Sequence, residues 1–267
     1  MAVPTQLFSS HRSFMSAKNS SQLAAFLRAL FLIISTAVYT CILAPPFIIA
    51  LLLGLSGRWF SAFEQTWTNW LLGTNGIRLN VQGLENLEKR HSYILISNHV
   101  SILDIPGIIS ALPFPVRFIA KRSLIWFPIF GWSLYLSRHI LIDRDNPHSA
   151  RKSFKQAASL LKSGTSIMVF PEGTRSPDGQ VKEFKGGAFL LALKAQAPVV
   201  PVSISGTYEM LPRTGCRFWP GTIKIQLSKP IPTRGLSLRQ IHSLREQVRE
   251  TVIRNLEYYE KTQGVRP

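Results

Sequence analysis

Leu95-Ile-Ser-Asn-His-Val-Ser-Ile-Leu-Asp104 is the stretch on which the fold turns. It leaves an apolar run, Tyr93 to Ser97, and delivers His99 and then, at i+5, Asp104. That separation misses the three- or four-residue spacing that stacks side chains on one helical face. The two groups can meet only if His99 lies in a turn, outside a regular helix that starts near Leu103. Asn98 and Ser101 are residue types suited to capping, and Pro106 is tolerated in the first turn of a helix. The stretch therefore predicts strand, short turn, helix. A histidine that takes a proton near neutral pH, with a carboxylate to fix its tautomer, can deprotonate an alcohol. Taken alone, a histidine near a strand end is more often solvated or structural than catalytic.

Further along the chain, short apolar runs alternate with helical periodicity. Strands are expected over 77–81, 93–97, 116–120, 133–136, 165–170, 199–204 and 222–227. Residues 149–162 predict a helix, with Ala150, Phe154, Ala157, Ala158 and Leu161 on one face and Gly164 as its stop. A second helix is expected over 187–195, and an amphipathic one at the end places Leu238, Ile241, Leu244, Val248 and Val252 on one apolar face. This alternation predicts an α/β fold: a mixed central sheet flanked by helices, with functional residues on loops at strand ends. The chain carries no internal repeat and no dinucleotide fingerprint, and Lys185-Gly186-Gly187 lacks the frame of a Walker phosphate loop.

Residues 1–22 are polar, Ser-rich and basic and read as a flexible leader. From Ala29 to Leu55 no residue is charged, a run longer than the roughly 20 apolar residues that span a bilayer as a helix. Pro45 and Pro46 fall inside it, and adjacent prolines are expected to break or kink a helix. Two readings follow, a kinked span or a helical hairpin lodged in one leaflet, and the hairpin is preferred because lipid association survives the break. Trp59, Phe63, Trp67 and Trp70 follow at helical spacing, as a core stripe or as an interfacial helix with tryptophans at headgroup depth. The expected organisation is a leader (1–22), N-terminal membrane-associated helices (23–73) and an α/β domain (74–267).

Thirty-one Lys and Arg against fourteen Asp and Glu give a net charge of +17, which points to an anionic partner. The cations are scattered, with no recognition motif or aromatic stacking surface, so a phospholipid surface or phosphorylated substrate is favoured over nucleic acid. Cys41 and Cys216 offer neither zinc spacing nor a disulfide framework. No cofactor or metal is expected.

A second constellation is Phe170-Pro-Glu-Gly-Thr-Arg175, at the end of an apolar strand. Pro171 stiffens the exit and Gly173 permits tight geometry, so Glu172 and Arg175 can project at defined positions. Arg175 supplies a rigid fork of donors suited to phosphate, although spacing alone favours an ordinary turn with a surface ion pair. Arg144 and Lys185 are further cations near loops. Asn98-His99-Val-Ser-Ile-Leu-Asp104 resembles the HX4D motif of the 1-acyl-glycerol-3-phosphate acyltransferases. Phe170 to Arg175 resembles that family's Glu-Gly-Thr-Arg block, Ile142-Asp143-Arg144 its arginine block, and Ala197-Pro-Val-Val-Pro-Val202 its proline-rich block. The order of these blocks over residues 98–202, after an apolar anchor, is far more specific than any one of them.

The resemblance implies transfer of a fatty acyl group from acyl-CoA or acyl-carrier protein to the 2-hydroxyl of lysophosphatidic acid, giving phosphatidic acid. His99 would be the base and Asp104 would orient it. Arg144 and Arg175 would bind the acceptor phosphate with Gly173, Thr174, Lys121 and Lys185, while Glu172 would order the phosphate loop or contact the glycerol. Related enzymes often carry Lys-Lys-Glu-Leu where this chain has Lys121-Arg-Ser-Leu124. The extra positive charge leaves open an acceptor with another headgroup, and a non-catalytic lipid-binding membrane protein is the alternative of a different class. The expected place is an anionic phospholipid membrane, monotopic, at the cytoplasmic face of the inner membrane.

Overall fold

In the computed structural model, which describes residues 7–54, 58–88, 91–126, 134, 137–143 and 147–263, the strand Ile94–Ser97 (β2) is buried along its whole length. A strand with no polar face belongs in the interior of a parallel sheet covered on both sides. β2 lies between β5 (Ser166–Val169) and β6 (Val199–Ser205), parallel to both. β3 (Val116–Lys121) joins β5, and β4 (Ile140–Ile142) joins β3, again in parallel. β7 (Thr222–Leu227) runs antiparallel to β6 and carries β1 (Arg78–Gln82) at its outer edge, completing a seven-stranded sheet in the order β1-β7-β6-β2-β5-β3-β4. The expected mixed sheet is present. Because β2 to β6 run the same way, the segments after Ser97, Val169, Lys121, Ile142 and Ser205 all leave from one edge.

The twofold alternation of strand side chains divides the interior in two. Leu95, Met168, Val200 and Val202 point into one core with Phe118, Leu103 and Ile108. That side is covered by three helices, α1 (Leu7–Leu52), α2 (Arg58–Thr74) and α3 (Asp104–Ala111). Ile94, Ile96, Ile167 and Val169 point the other way, onto Phe184, Phe189, Val248 and Val252. The helices there are α4 (Pro147–Lys162), α5 (Gly187–Ala195) and α7 (Ile241–Gln263), while the short α6 (Thr207–Met210) follows β6.

Several expectations are corrected. The strand expected over 133–136 falls largely outside the described residues, and the partner of β3 is Ile140–Ile142. Leu238 leaves the apolar face of the last helix and is exposed, because it sits in a 3₁₀ turn, Leu238–Gln240, closed by a capping box between Ser237 and Gln240. The largest correction concerns the N-terminus. α1 is a single helix that begins at Leu7, inside the stretch read as a leader, and runs through Pro45 and Pro46 without the expected break. Packing beyond the prolines accounts for this: Phe47 lies 4.9 Å from Phe60 and 5.6 Å from Phe63 of α2, ring centre to ring centre. In apolar surroundings a helix that loses two internal hydrogen bonds still leaves fewer unpaired groups than an open chain. The turn in the chain comes instead between α1 and α2, which pack antiparallel. Trp67 donates its indole N–H to Thr40 Oγ1 (3.1 Å), and Asn75 Nδ2 donates to Ser35 Oγ (3.0 Å). The tryptophan stripe is divided between environments: Trp67 is half-buried, while Trp59 and Trp70 are exposed and Phe60, Leu71 and Leu72 form the buried face of α2.

Within α1, Ser21–Ala50 is long and apolar enough to cross a membrane. Ala25, Ala29, Leu32, Ser35, Phe47 and Ala50 pack inward, whereas Leu23, Phe26, Leu27, Phe31, Ile34 and Val38 are exposed.

Candidate active site

His99 and Asp104 meet through the turn that their spacing demands, with His99 Nδ1 2.7 Å from Asp104 Oδ2. The same carboxylate oxygen accepts the backbone N–H groups of Val100 (2.9 Å) and Ser101 (2.9 Å), so the aspartate at the start of α3 folds the preceding turn around itself. Asp104 is fully buried, and its other oxygen has no hydrogen-bond partner among the described residues. A carboxylate in this position accepts the proton of Nδ1, which leaves Nε2 as the bare nitrogen of the neutral imidazole. The histidine side chain keeps 14% of its surface open.

The capping roles expected of Asn98 and Ser101 are taken up differently. α3 is preceded by Leu103 with no side-chain cap. Asn98 instead completes the β2–β6 ladder with its amide, donating to Ile204 O (2.8 Å) and accepting from Ile204 N (2.9 Å). A side chain that reproduces a peptide group continues the sheet past the end of β2 and fixes where His99 begins. Ser101 Oγ donates to Leu211 O at 2.7 Å, tying the turn to the segment after α6.

The loop after β5 grips His99 from the other side. Glu172 Oε1 accepts the His99 backbone N–H at 2.9 Å, and Ser176 N donates to the His99 carbonyl at 2.8 Å. The Phe170 ring is stacked on the imidazole, 4.1 Å between centres and 15° between planes. Gly173 makes the reversal possible with φ of 82°, a left-handed conformation that side chains disfavour. Glu172 is 5% exposed, and burial pushes its pKa up to about 7. The N–H groups of His99 and Lys182 and the charge of Lys182 oppose that rise, and the charge of Asp104 adds to it. Glu172 thus faces inward and orders the two loops against each other.

The remaining predicted residues are placed less intimately. Thr174 is exposed and Arg175 half-buried in the same loop. Lys185 is exposed, its backbone N–H held by Pro171 O at 3.1 Å. Lys121 is exposed at the end of β3, and Arg144 lies outside the described residues, just after β4. Groups to which local sequence assigned no such role also build the site: the Asn98 amide, the Phe170 ring, Lys182 beside Glu172, and Arg213, whose Nη1 donates to Arg175 O at 2.8 Å. Asn98 and Phe170 stood inside the quoted motifs, but Arg213 carried no local signal. Among the described residues no group of three or more His, Cys, Asp or Glu side chains is arranged to hold a metal ion. A shallow cavity of about 320 Å3 beside His91, Lys162 and Pro198 lies at the opposite, N-terminal ends of β2, β5 and β6 and shares no residue with this site.

A histidine with a bare Nε2, oriented by a buried carboxylate on a loop at the C-terminal edge of a parallel sheet, is an arrangement able to accept a proton from a hydroxyl group. The chain matches the family model described as Acyltransferase over residues 78–205. It is 35% identical over 179 residues to human 1-acyl-sn-glycerol-3-phosphate acyltransferase alpha, which covers 67% of this chain and 63% of the human protein. With the 1-acyl-sn-glycerol-3-phosphate acyltransferase of Limnanthes douglasii it shares 35% identity over 190 residues, 71% of this chain and 67% of that one. The crystal structure of the 1-acyl-sn-glycerophosphate (LPA) acyltransferase PlsC from Thermotoga maritima superposes with a TM-score of 0.74 at 29% identity, over 90% of this chain and 98% of that chain. The chain belongs to the 1-acyl-sn-glycerol-3-phosphate acyltransferase family. It spans a little under two thirds of the length of the human relative, 63%.

Proposed function

We propose that this protein transfers a fatty acyl group from acyl-CoA or acyl-carrier protein to the 2-hydroxyl of 1-acyl-glycerol-3-phosphate, forming phosphatidic acid. The observation that carries this reading is the His99–Asp104 pair, 2.7 Å apart, with the His99 backbone held on both sides by the Glu172 and Ser176 loop. His99 Nε2 takes the hydroxyl proton as that oxygen attacks the thioester carbonyl, and Asp104 stabilises the imidazolium that results. Collapse of the tetrahedral intermediate breaks the C–S bond, and the imidazolium returns the proton to the departing thiolate. A thioester is already activated, so direct attack needs no covalent enzyme intermediate. Arg175, with Arg144, Thr174 and the Gly173 turn, holds the acceptor phosphate, and Lys121 and Lys185 add positive charge around it.

The catalytic unit is residues 74–267, and α1 with α2 seats it at an anionic phospholipid membrane, on the cytoplasmic face of the inner membrane. Acceptor and product are both amphiphiles, so a site beside the bilayer exchanges them laterally. Monotopic seating is supported at both ends of the apolar segment Ser21–Ala50 of α1. Near its start, Ala25 O accepts the N–H of Phe218 from the α/β domain (3.3 Å). Near its end, Phe47 packs on Phe60, beside Ser61 and Glu64, whose side chains hold Arg117 of β3. A helix standing across a bilayer is tied to a domain on one side at one end only.

The test is transfer by purified protein from a labelled acyl donor to a panel of lysophospholipids. Transfer to lysophosphatidic acid, abolished in a folded His99→Ala variant, is expected. Robust transfer to another headgroup with none to lysophosphatidic acid would overturn the acceptor, and full activity in His99→Ala would overturn the base.

A further inference from the structure

The segment between α6 and β7 reaches both motif loops, although it belongs to neither. Leu211 O accepts the Ser101 hydroxyl at 2.7 Å, and two residues on, Arg213 Nη1 donates to Arg175 O at 2.8 Å. Arg175 is followed directly by Ser176, whose N–H holds the His99 carbonyl. Arg213 is therefore placed within the same short chain of contacts that fixes the base. Its guanidinium has one donor engaged with a neutral carbonyl, and among the described residues no carboxylate pairs with it. The side chain is exposed, so its other donors and its whole charge are open to a ligand.

The rest of the segment explains what kind of ligand arrives there. Phe218 is buried against α1, its N–H bound to Ala25 O, and Trp219 lies under the guanidinium of Arg28 at 5.1 Å. Exposed apolar side chains stand next in sequence to the residues of these contacts: Trp219 after Phe218, Phe26 after Ala25 in α1, and Ile102 after Ser101 in the turn that carries His99. The segment thus runs from these exposed apolar side chains to the catalytic loops, with Arg213 at the catalytic end. An amphiphile with its chain on the apolar side presents its headgroup to Arg213.

We infer that Arg213 is a specificity-determining residue, binding a phosphomonoester at the acyl acceptor's headgroup beside the Arg175 loop. This rests on the acceptor reading proposed above. The alternative source of the same chemistry is the phosphate of the acyl donor, and the two are separated by which Michaelis constant moves.

The experiment compares wild-type protein with Arg213→Gln, which keeps an amide donor for Arg175 O but removes the charge. Expected are a rise of about tenfold in KM for lysophosphatidic acid, with kcat within about twofold, and an unchanged KM for acyl-CoA. The inhibition constant of glycerol 3-phosphate is expected to rise by a similar factor, and the thermal midpoint to stay where it is. An unchanged acceptor KM and inhibition constant would overturn the inference, as would a rise confined to the KM of acyl-CoA. A fall in kcat and thermal midpoint without a change in either KM would make Arg213 merely a structural tie and overturn it too. If the wild-type protein transfers nothing to lysophosphatidic acid, the acceptor reading itself fails, which the wild-type control reports separately.

Discussion

At the scale of single residues the site is organised by hydrogen bonds to backbone. Asp104 holds the imidazole and the two N–H groups after it, and Glu172 holds the N–H of His99 itself. Glu172 lies in a buried position that favours its neutral form, and its pKa is pushed up from 4.5 to about 7. The folded protein therefore keeps this proton through a range where the unfolded chain has lost it. Stabilisation from that retained proton is fully present below pH 4.5 and is lost as pH rises towards about 7. Replacing Glu172 with Gln keeps an acceptor for the His99 N–H and removes the titration. The thermal midpoint of the wild-type protein should fall relative to Glu172→Gln between pH 5 and pH 7. Parallel midpoint curves for the two proteins across that interval would refute the assignment.

At the scale of elements, α2 is joined to the sheet through charge as well as apolar packing. Glu64 accepts from Arg117 Nη1 at 3.1 Å and from His139 Nε2 at 3.0 Å. His139 Nδ1 in turn accepts the Phe118 N–H at 3.1 Å, which leaves the ring proton on Nε2 for Glu64. Burial pushes the Glu64 carboxyl up, but the His139 hydrogen bond and the charge of Arg117 outweigh it and hold the group below its ordinary value. The joint grips β3 at its start and the residue just before β4, the strands that lead to Lys121 and Arg144. Glu64→Ala leaves Arg117 in the interior without its partner, at a cost of about 3–5 kcal/mol. Denaturant unfolding should report that loss, and a change below about 1 kcal/mol would show that the network is dispensable. Little of this joint was legible beforehand. Glu64, Arg117 and His139 are far apart in sequence, and none stands at a periodicity that announces a buried ion. The strands and helices were legible because each is encoded locally, in the apolar run of Tyr93 to Ser97 and the periodicity of residues 149–162. The β4 strand was not foreseen because Ile140–Ile142 is too short to declare itself without β3 alongside.

At the scale of the molecule, the exposed apolar face of α1 and the net charge of +17 act together. In the proposed membrane seating, apolar burial would supply attachment that salt does not screen, and the cations would draw the domain onto anionic lipid. Ser21–Ala50 is roughly 45 Å long at the helical rise of about 1.5 Å per residue. That exceeds the hydrocarbon thickness of about 30 Å, so length permits a crossing, and the two-ended attachment to the domain is what argues against one. Cysteines introduced at Leu23 and Leu53, in a background lacking Cys41 and Cys216, should react with an impermeant reagent from the same side of sealed vesicles. Reaction from opposite sides would establish a span.

The alternation of strands and helices, the ordered blocks from Asn98 to Val202 and the demand that His99 meet Asp104 through a turn all follow from the sequence alone, because each depends on residues close together in the chain. Only the tertiary structure decided that α1 continues through Pro45 and Pro46, that Asn98 extends the sheet rather than capping a helix, and that Arg213 stands beside Arg175. Those outcomes depend on partners brought together by the fold, Phe47 with Phe60, Asn98 with Ile204 and Arg213 with Arg175, and such contacts leave no mark on local propensity or spacing.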